Sequence, residues 1–268
     1  MKKIVFFILV LTVLYPAYAQ SYSEQFQTAL DAHDAKTQRA ILHDWQTAAP
    51  EDIDLYIARW NYYVNAYMGE HSGADLSELK KSILDSGFAV IDAAIERYPN
   101  RLDLRFGKIY FLGQITQWDS FVAEILHTID HSNRIAHKWT FNNLTDEGEA
   151  LMVEGIQDYQ SDMYATIADK HHLSAADSLM VVRIRRVAQR TIQVFPDNVD
   201  AMNMLAVSYI LVEDYEKSIK YLLRAENIAP THPAILRNLI ESYTRLNKKK
   251  EAATYQARLD ALPMSDRY

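Results

Sequence analysis

The feature that most restricts this chain is a spacing. Pro196 and Pro230 lie 34 residues apart, Pro263 follows 33 later, and one residue pattern is written twice between them. In the first copy Leu205, Ala206 and Tyr209 mark one helix, and Tyr215, Ile219, Leu222 and Ala225 mark a second. In the second copy Leu239 and Tyr243 stand where Leu205 and Tyr209 stood, and Ala252 takes the place of Ser218. Steps of three and four put each apolar set on one helical face. Asp197 and Asn198 suit a cap on the first helix, and Pro233 suits the first turn of the third. Asp214 and Asn247 fall between partner helices, where a short polar side chain turns the chain. Each proline closes its unit because a helix interior loses a donor and clashes with the ring. A helix pair of this length cannot bury its apolar face alone, so it stacks on neighbours.

The pattern Leu205-Ala206, Tyr209, Ser218, Leu222, Ala225, Pro230, then Leu239, Tyr243, Ala252 and a shifted Pro263, resembles the tetratricopeptide repeat. Met202 and Leu236 stand where that family opens on an aromatic, and Ile240 replaces its usual small residue. The resemblance implies a right-handed α-α superhelix in which the first helix of each unit lines a concave groove for a polypeptide. The groove positions it implies are Asp200, Asn203, Val207 and Ile210, then Arg237, Asn238, Glu241 and Arg245. A clamp for a terminal carboxylate, used by some members, has only Asn203, Arg237 and Asn238 to draw on, and Asp200 opposes it.

The rest of the chain reads as more of the same. With 7 glycines and 7 prolines in 268 residues, and Pro50, Pro99, Pro196, Pro230 and Pro263 closing periodic segments, the expected class is all-α. Helices are expected around Phe26 and Leu30, around Ile41, Leu42 and Trp45, and over Asp52–Tyr67 with Tyr56, Trp60 and Tyr63. After a loop at 69–77, a long helix runs to Tyr98. Arg101–Leu112 and Asp119–His131 follow, then a connection at 133–145 and long helices over Glu147–Lys170 and Ser174–Phe195. Phe106-Gly107-x-x-Tyr110 matches the repeat's Leu-Gly-x-x-Tyr element. The expectation is about six helix pairs, degenerate over residues 20–132, irregular over 133–195 and regular over 196–263.

Residues 1–19 read as a signal peptide. Lys2-Lys3 precedes an eleven-residue apolar run, Ile4–Leu14, and Ala17-Tyr18-Ala19 fits the cleavage site. The run is short for a bilayer span, and with Cys 0 there is no lipid-attachment thiol, disulfide or thiolate metal site. The expected location is a bacterial periplasm or beyond, without membrane insertion after cleavage. Without Lys2 and Lys3 the 28 basic residues become 26 against 35 acidic, a net charge of −9, which speaks against a nucleic-acid partner.

Three constellations carry possible chemistry. Glu124-x-x-His127-x-x-x-His131 has metal-ligand spacing, but Phe121, Val122, Ile125 and Ile129 form that helix's core and the Glu/His face is expected in solvent. Glu154, Asp158 and Asp162 form a carboxylate stripe opposite Met152, Ile156, Tyr159, Met163 and Ile167, and read as a solvated face. Trp139 and Phe141 lie in the connection and either tuck onto the core or form a binding lip. His171-His172 reads as a capping junction and Lys248-Lys249-Lys250 as a solvated turn. No nucleotide, nucleophile-elbow or zinc-protease motif is present.

The expectation is therefore an exported, non-catalytic scaffold without cofactor or metal, holding a protein or peptide at Asn203, Val207, Arg237, Asn238, Glu241 and Arg245, with Trp139 and Phe141 as further candidates. The alternatives are a hydrolase or metal-dependent enzyme with a site within 100–195, and a self-associating envelope component.

Overall fold

A computed structural model describes residues 17–69, 76–141, 148–168, 170 and 172–266. Among the described residues it is all-α, with twelve helices and no strand. In chain order these are α1 (Ala17–Asp31), α2 (Ala35–Ala48), α3 (Ile53–Met68), α4 (Leu76–Arg97), α5 (Leu102–Gln114) and α6 (Trp118–Arg134). Then come α7 (Gly148–Ala165), α8 (Ala175–Val194), α9 (Val199–Ile210), α10 (Tyr215–Ile228), α11 (Pro233–Arg245) and α12 (Lys249–Asp260). The expected signal segment up to residue 16, most of the 69–77 loop, residues 142–147 of the connection, and His171 lie outside the described residues.

The turns inside the pairs are copies of one another. His33, Thr116, Glu213 and Asn247 each take a left-handed φ, between 53° and 61°. Each donates its N–H to a carbonyl three residues back, and the next residue donates to a carbonyl five back, as in Asp214 to Tyr209 and Lys248 to Tyr243. This is the Schellman arrangement, which satisfies carbonyls that a helix end leaves open. Asn247 is therefore the turn residue expected, and Asp214 caps α10 by accepting from the Lys217 N–H. Asn198, one of the two residues offered as a cap, holds the Ala201 N–H at 2.7 Å.

The turns between pairs are equally uniform. Ala49, Tyr98, Phe195 and Ala229 each close their helix with an i→i−4 bond, a proline follows at once, and the residue three positions on donates back. Pro50, Pro99, Pro196 and Pro230 thus occupy one structural position.

These two landmarks set the register of α5. Pro99 to Pro196 and Thr116 to Glu213 are both 97 residues, so Leu205, Ala206 and Tyr209 correspond to Lys108, Ile109 and Leu112. The Phe106-Gly107-x-x-Tyr110 match is two residues out of step. Ile109 and Leu112 are buried at 0% and 3% exposure, whereas Phe106, Gly107 and Tyr110 are only partly covered. The letters fit the motif, but the turn and the proline decide which residues face inward.

The described residues within 1–124 and 135–149 form one compact unit, and those within 125–134 and 150–268 another. In the first, Phe26, Ile41, Trp45 and Leu55 make one cluster, and Trp60, Ile91, Leu104 and Phe111 another. Trp60 meets Phe111 edge-on at 5.3 Å, and Tyr67 does so at 5.7 Å. Gly87 lets α4 approach Tyr63, since a Cβ there would lie 3.1 Å from the Tyr63 Cβ. In the second unit Met202, Leu205, Ala206, Leu222, Ala225 and Leu239 share one core.

Candidate functional site

Of the positions expected to face a partner, the second unit joins two directly. Asn203 on α9 and Asn238 on α11 are partly buried, and the Asn238 amide donates to the Asn203 Oδ1 at 2.8 Å. Arg237, Glu241 and Arg245 are exposed along α11, with Arg245 Nη2 4.0 Å from Glu241 Oε1. Val207 and Ile210 are partly covered on α9. Asp200 faces the His232 imidazole at 3.7 Å. The α9 and α11 positions thus combine an amide pair with alternating charge along α11.

Sequence reasoning missed the ring stacks and arginine contacts of this unit. Tyr209 stacks on Tyr221 at 5.8 Å with planes 2° apart, and Tyr243 on Tyr255 at 5.6 Å and 10°. Both partners lie 34 residues apart, so the repeat spacing already contained Tyr221 and Tyr255. The Arg224 guanidinium donates to the Pro196 carbonyl and Arg258 to that of Pro230, again 34 apart. Arg185 of α8 sits 4.3 Å above the Tyr209 ring and donates to the Ser208 carbonyl at 2.8 Å.

In the first unit the expectation for Glu124 is overturned. It is 6% exposed, not solvated, and lies between Arg105 at 3.1 Å and Lys108 at 2.8 Å. Lys108 also reaches Asp92 at 2.7 Å. Burial alone lowers the Lys108 ammonium, but the hydrogen bonds to Asp92 and Glu124 outweigh it and raise the group. The buried polar residues along α6 are Glu124, Thr128 and Ser132, four apart, whereas His127 is exposed and His131 partly so. A three-four count from Glu124 chose the histidines because it could not see that α5 carries Arg105 and Lys108 opposite. Among the described residues no three His, Asp or Glu side chains are grouped to hold a metal.

Trp139 is 1% exposed and belongs to the core of its unit, under the Arg105 guanidinium at 5.7 Å; Phe141 is partly exposed. Glu154, Asp158 and Asp162 are exposed opposite buried Met152, Ile156, Met163 and Ile167. Desolvation and the neighbouring Asp158 raise the Asp162 carboxyl. The junction before α8 is capped by Ser174 and Asp177 in a reciprocal box, while His172 is exposed. Asp177 is pulled down to about 2, first by the Lys170 hydrogen bond and then by Ser174. No helix among the described residues is long and apolar enough to cross a membrane.

No family model matches the sequence, and the comparison with curated proteins found no match.

Proposed function

We propose that the chain is an exported, non-catalytic scaffold of tetratricopeptide type, a right-handed α-α superhelix whose α9/α11 face holds a polypeptide partner. The observation that carries this is the Asn238–Asn203 hydrogen bond, which ties the two first-in-pair helices into one surface beside exposed Arg237, Glu241 and Arg245. Support for the repeat reading comes from the features that recur at 34 residues: the tyrosine stacks, the arginine–proline contacts and the left-handed turns. Partly buried amides beside exposed arginines suit recognition of an extended chain, with the arginines as anchors. The leader-like residues 1–19 support the reading of export.

Affinity capture with the full chain from envelope fractions tests it. The expected outcome is a polypeptide retained by the native sequence and lost on Arg237→Glu with Glu241→Lys. Retention by that double variant removes the α9/α11 face as the site.

The enzymatic reading has one observation in its favour, the charged groups within α4, α5 and α6. They are arranged as mutual partners, with Glu124 neutralised by two cations, which suits a structural network better than a proton-transfer pair.

A further inference from the structure

Six non-glycine residues among those described have positive φ. Four belong to the repeated turns. The other two, Ala136 (φ 49°) and His137 (φ 62°), are consecutive and lie outside those turns. The left-handed region brings Cβ against the following carbonyl, and alanine has no polar side chain to offset it.

Directly after this strained pair the chain is docked on its own unit. The Thr140 N–H donates to the Asn100 carbonyl at 2.9 Å, and the Leu102 N–H donates to the Thr140 carbonyl at 2.9 Å. The Thr140 hydroxyl adds a bond to Asn100 at 3.2 Å, and Arg101 and Thr140 form a single parallel bridge. Leu102 opens α5, and its N-cap Arg101 makes no side-chain cap bond. The Thr140 carbonyl thus does for α5 what Asn198 does for α9. Trp139 is seated beneath Arg105.

We propose that Ala136–Phe141 is a strap held against its own backbone strain, and that its seat at Asn100, Leu102 and Arg105 is a docking site for an extended polypeptide segment carrying an indole, which displaces it. The resident defines the occupant. One extended residue exchanges backbone bonds with Asn100 and Leu102, and the flat aromatic before it slides under Arg105. A partner lacking two left-handed residues makes the same backbone contacts without the strain, and that relief offsets part of the advantage the tethered resident holds through its effective concentration. The inference does not depend on the α9/α11 face.

The test uses the full chain and calorimetry with three ligands: a blocked pentapeptide of residues 137–141, the same peptide with alanine for tryptophan, and free indole. The Trp139→Ala protein is expected to bind the pentapeptide at least about tenfold more tightly than wild type does, and about tenfold more tightly than it binds indole. The alanine peptide is expected not to bind. Indole binding as well as the pentapeptide means that Trp139 only fills a hole, and overturns the proposal. So does a folded Trp139→Ala protein that ignores the peptide. Should that variant not fold, hydrogen exchange in Ala136→Gly with His137→Gly decides. Relief of strain predicts exchange at Leu102 and Thr140 slowed about tenfold relative to wild type, with Ile109 unchanged. Unchanged or faster exchange at the first two overturns the strap.

Discussion

The Tyr255 hydroxyl donates a 3.0 Å hydrogen bond to the Glu226 carboxylate, which also receives the Arg258 guanidinium. Through it α12, which has no fully buried residue, is tied back to α10. Burial, then the bond to Glu226, pushes the Tyr255 phenol up to about 12. Its folded value lies above the unfolded one near 10, so the stabilisation is complete below about pH 10 and is lost as pH rises through about 12. Tyr255→Phe should cost about 1 kcal/mol in urea unfolding at pH 7. Spectrophotometric titration of the native protein should lose one late-ionising tyrosine in the variant.

Glu124 stands between Arg105 and Lys108, so removing it takes their shared carboxylate away from two cations, of which Arg105 is buried. Glu124→Ala should destabilise by about 3–5 kcal/mol, whereas Glu124→Leu with Arg105→Met should recover most of that loss. Denaturant unfolding of the single and the double variant beside wild type measures both. Equal loss in the single and double variants contradicts the account.

Gly148 begins α7 against Trp139. A Cβ there would lie 2.5 Å from the Trp139 carbonyl oxygen and 2.7 Å from its Cβ. Backbone cannot yield as a side chain does, so Gly148→Ala should cost about 2 kcal/mol and red-shift the tryptophan emission. At Gly113 the nearest atom, 3.0 Å away, is on the Phe121 ring, and Gly113→Ala should cost less.

Asp54 is raised to about 6, chiefly by desolvation and then by Asp52, while Arg101 opposes the shift. A carboxyl whose folded value exceeds its unfolded one keeps its proton longer when folded, so this group's contribution falls as pH rises from about 4 to about 6. Asp54→Asn should therefore stabilise the protein at pH 7 by roughly 1 kcal/mol and have little effect at pH 4. Thermal melts across that range, with wild type in parallel, measure the difference.

The fold was legible because its punctuation is chemical. Prolines at 50, 99, 196 and 230 and short polar residues at 198, 214 and 247 act locally, so a linear reading locates them and the helices between. What escaped depends on partners far apart in sequence. Glu124 looks solvent-facing until Arg105, nineteen residues earlier, is placed against it. Phe106 and Tyr110 look like core because they carry the right letters, and only the distances to Pro99 and Thr116 show the two-residue slip. Trp139 had two readings, and neither included its backbone neighbour Thr140 capping α5.

The uniform turn after Pro50, Pro99, Pro196 and Pro230 bears on how such a chain changes length. A pair inserted or deleted at one of these joints meets the same two hydrogen bonds on either side that its neighbours already make. Duplication of a 34-residue segment is thus an in-frame event structurally as well as genetically. The last two pairs already agree in turn, stack and arginine contact at that spacing.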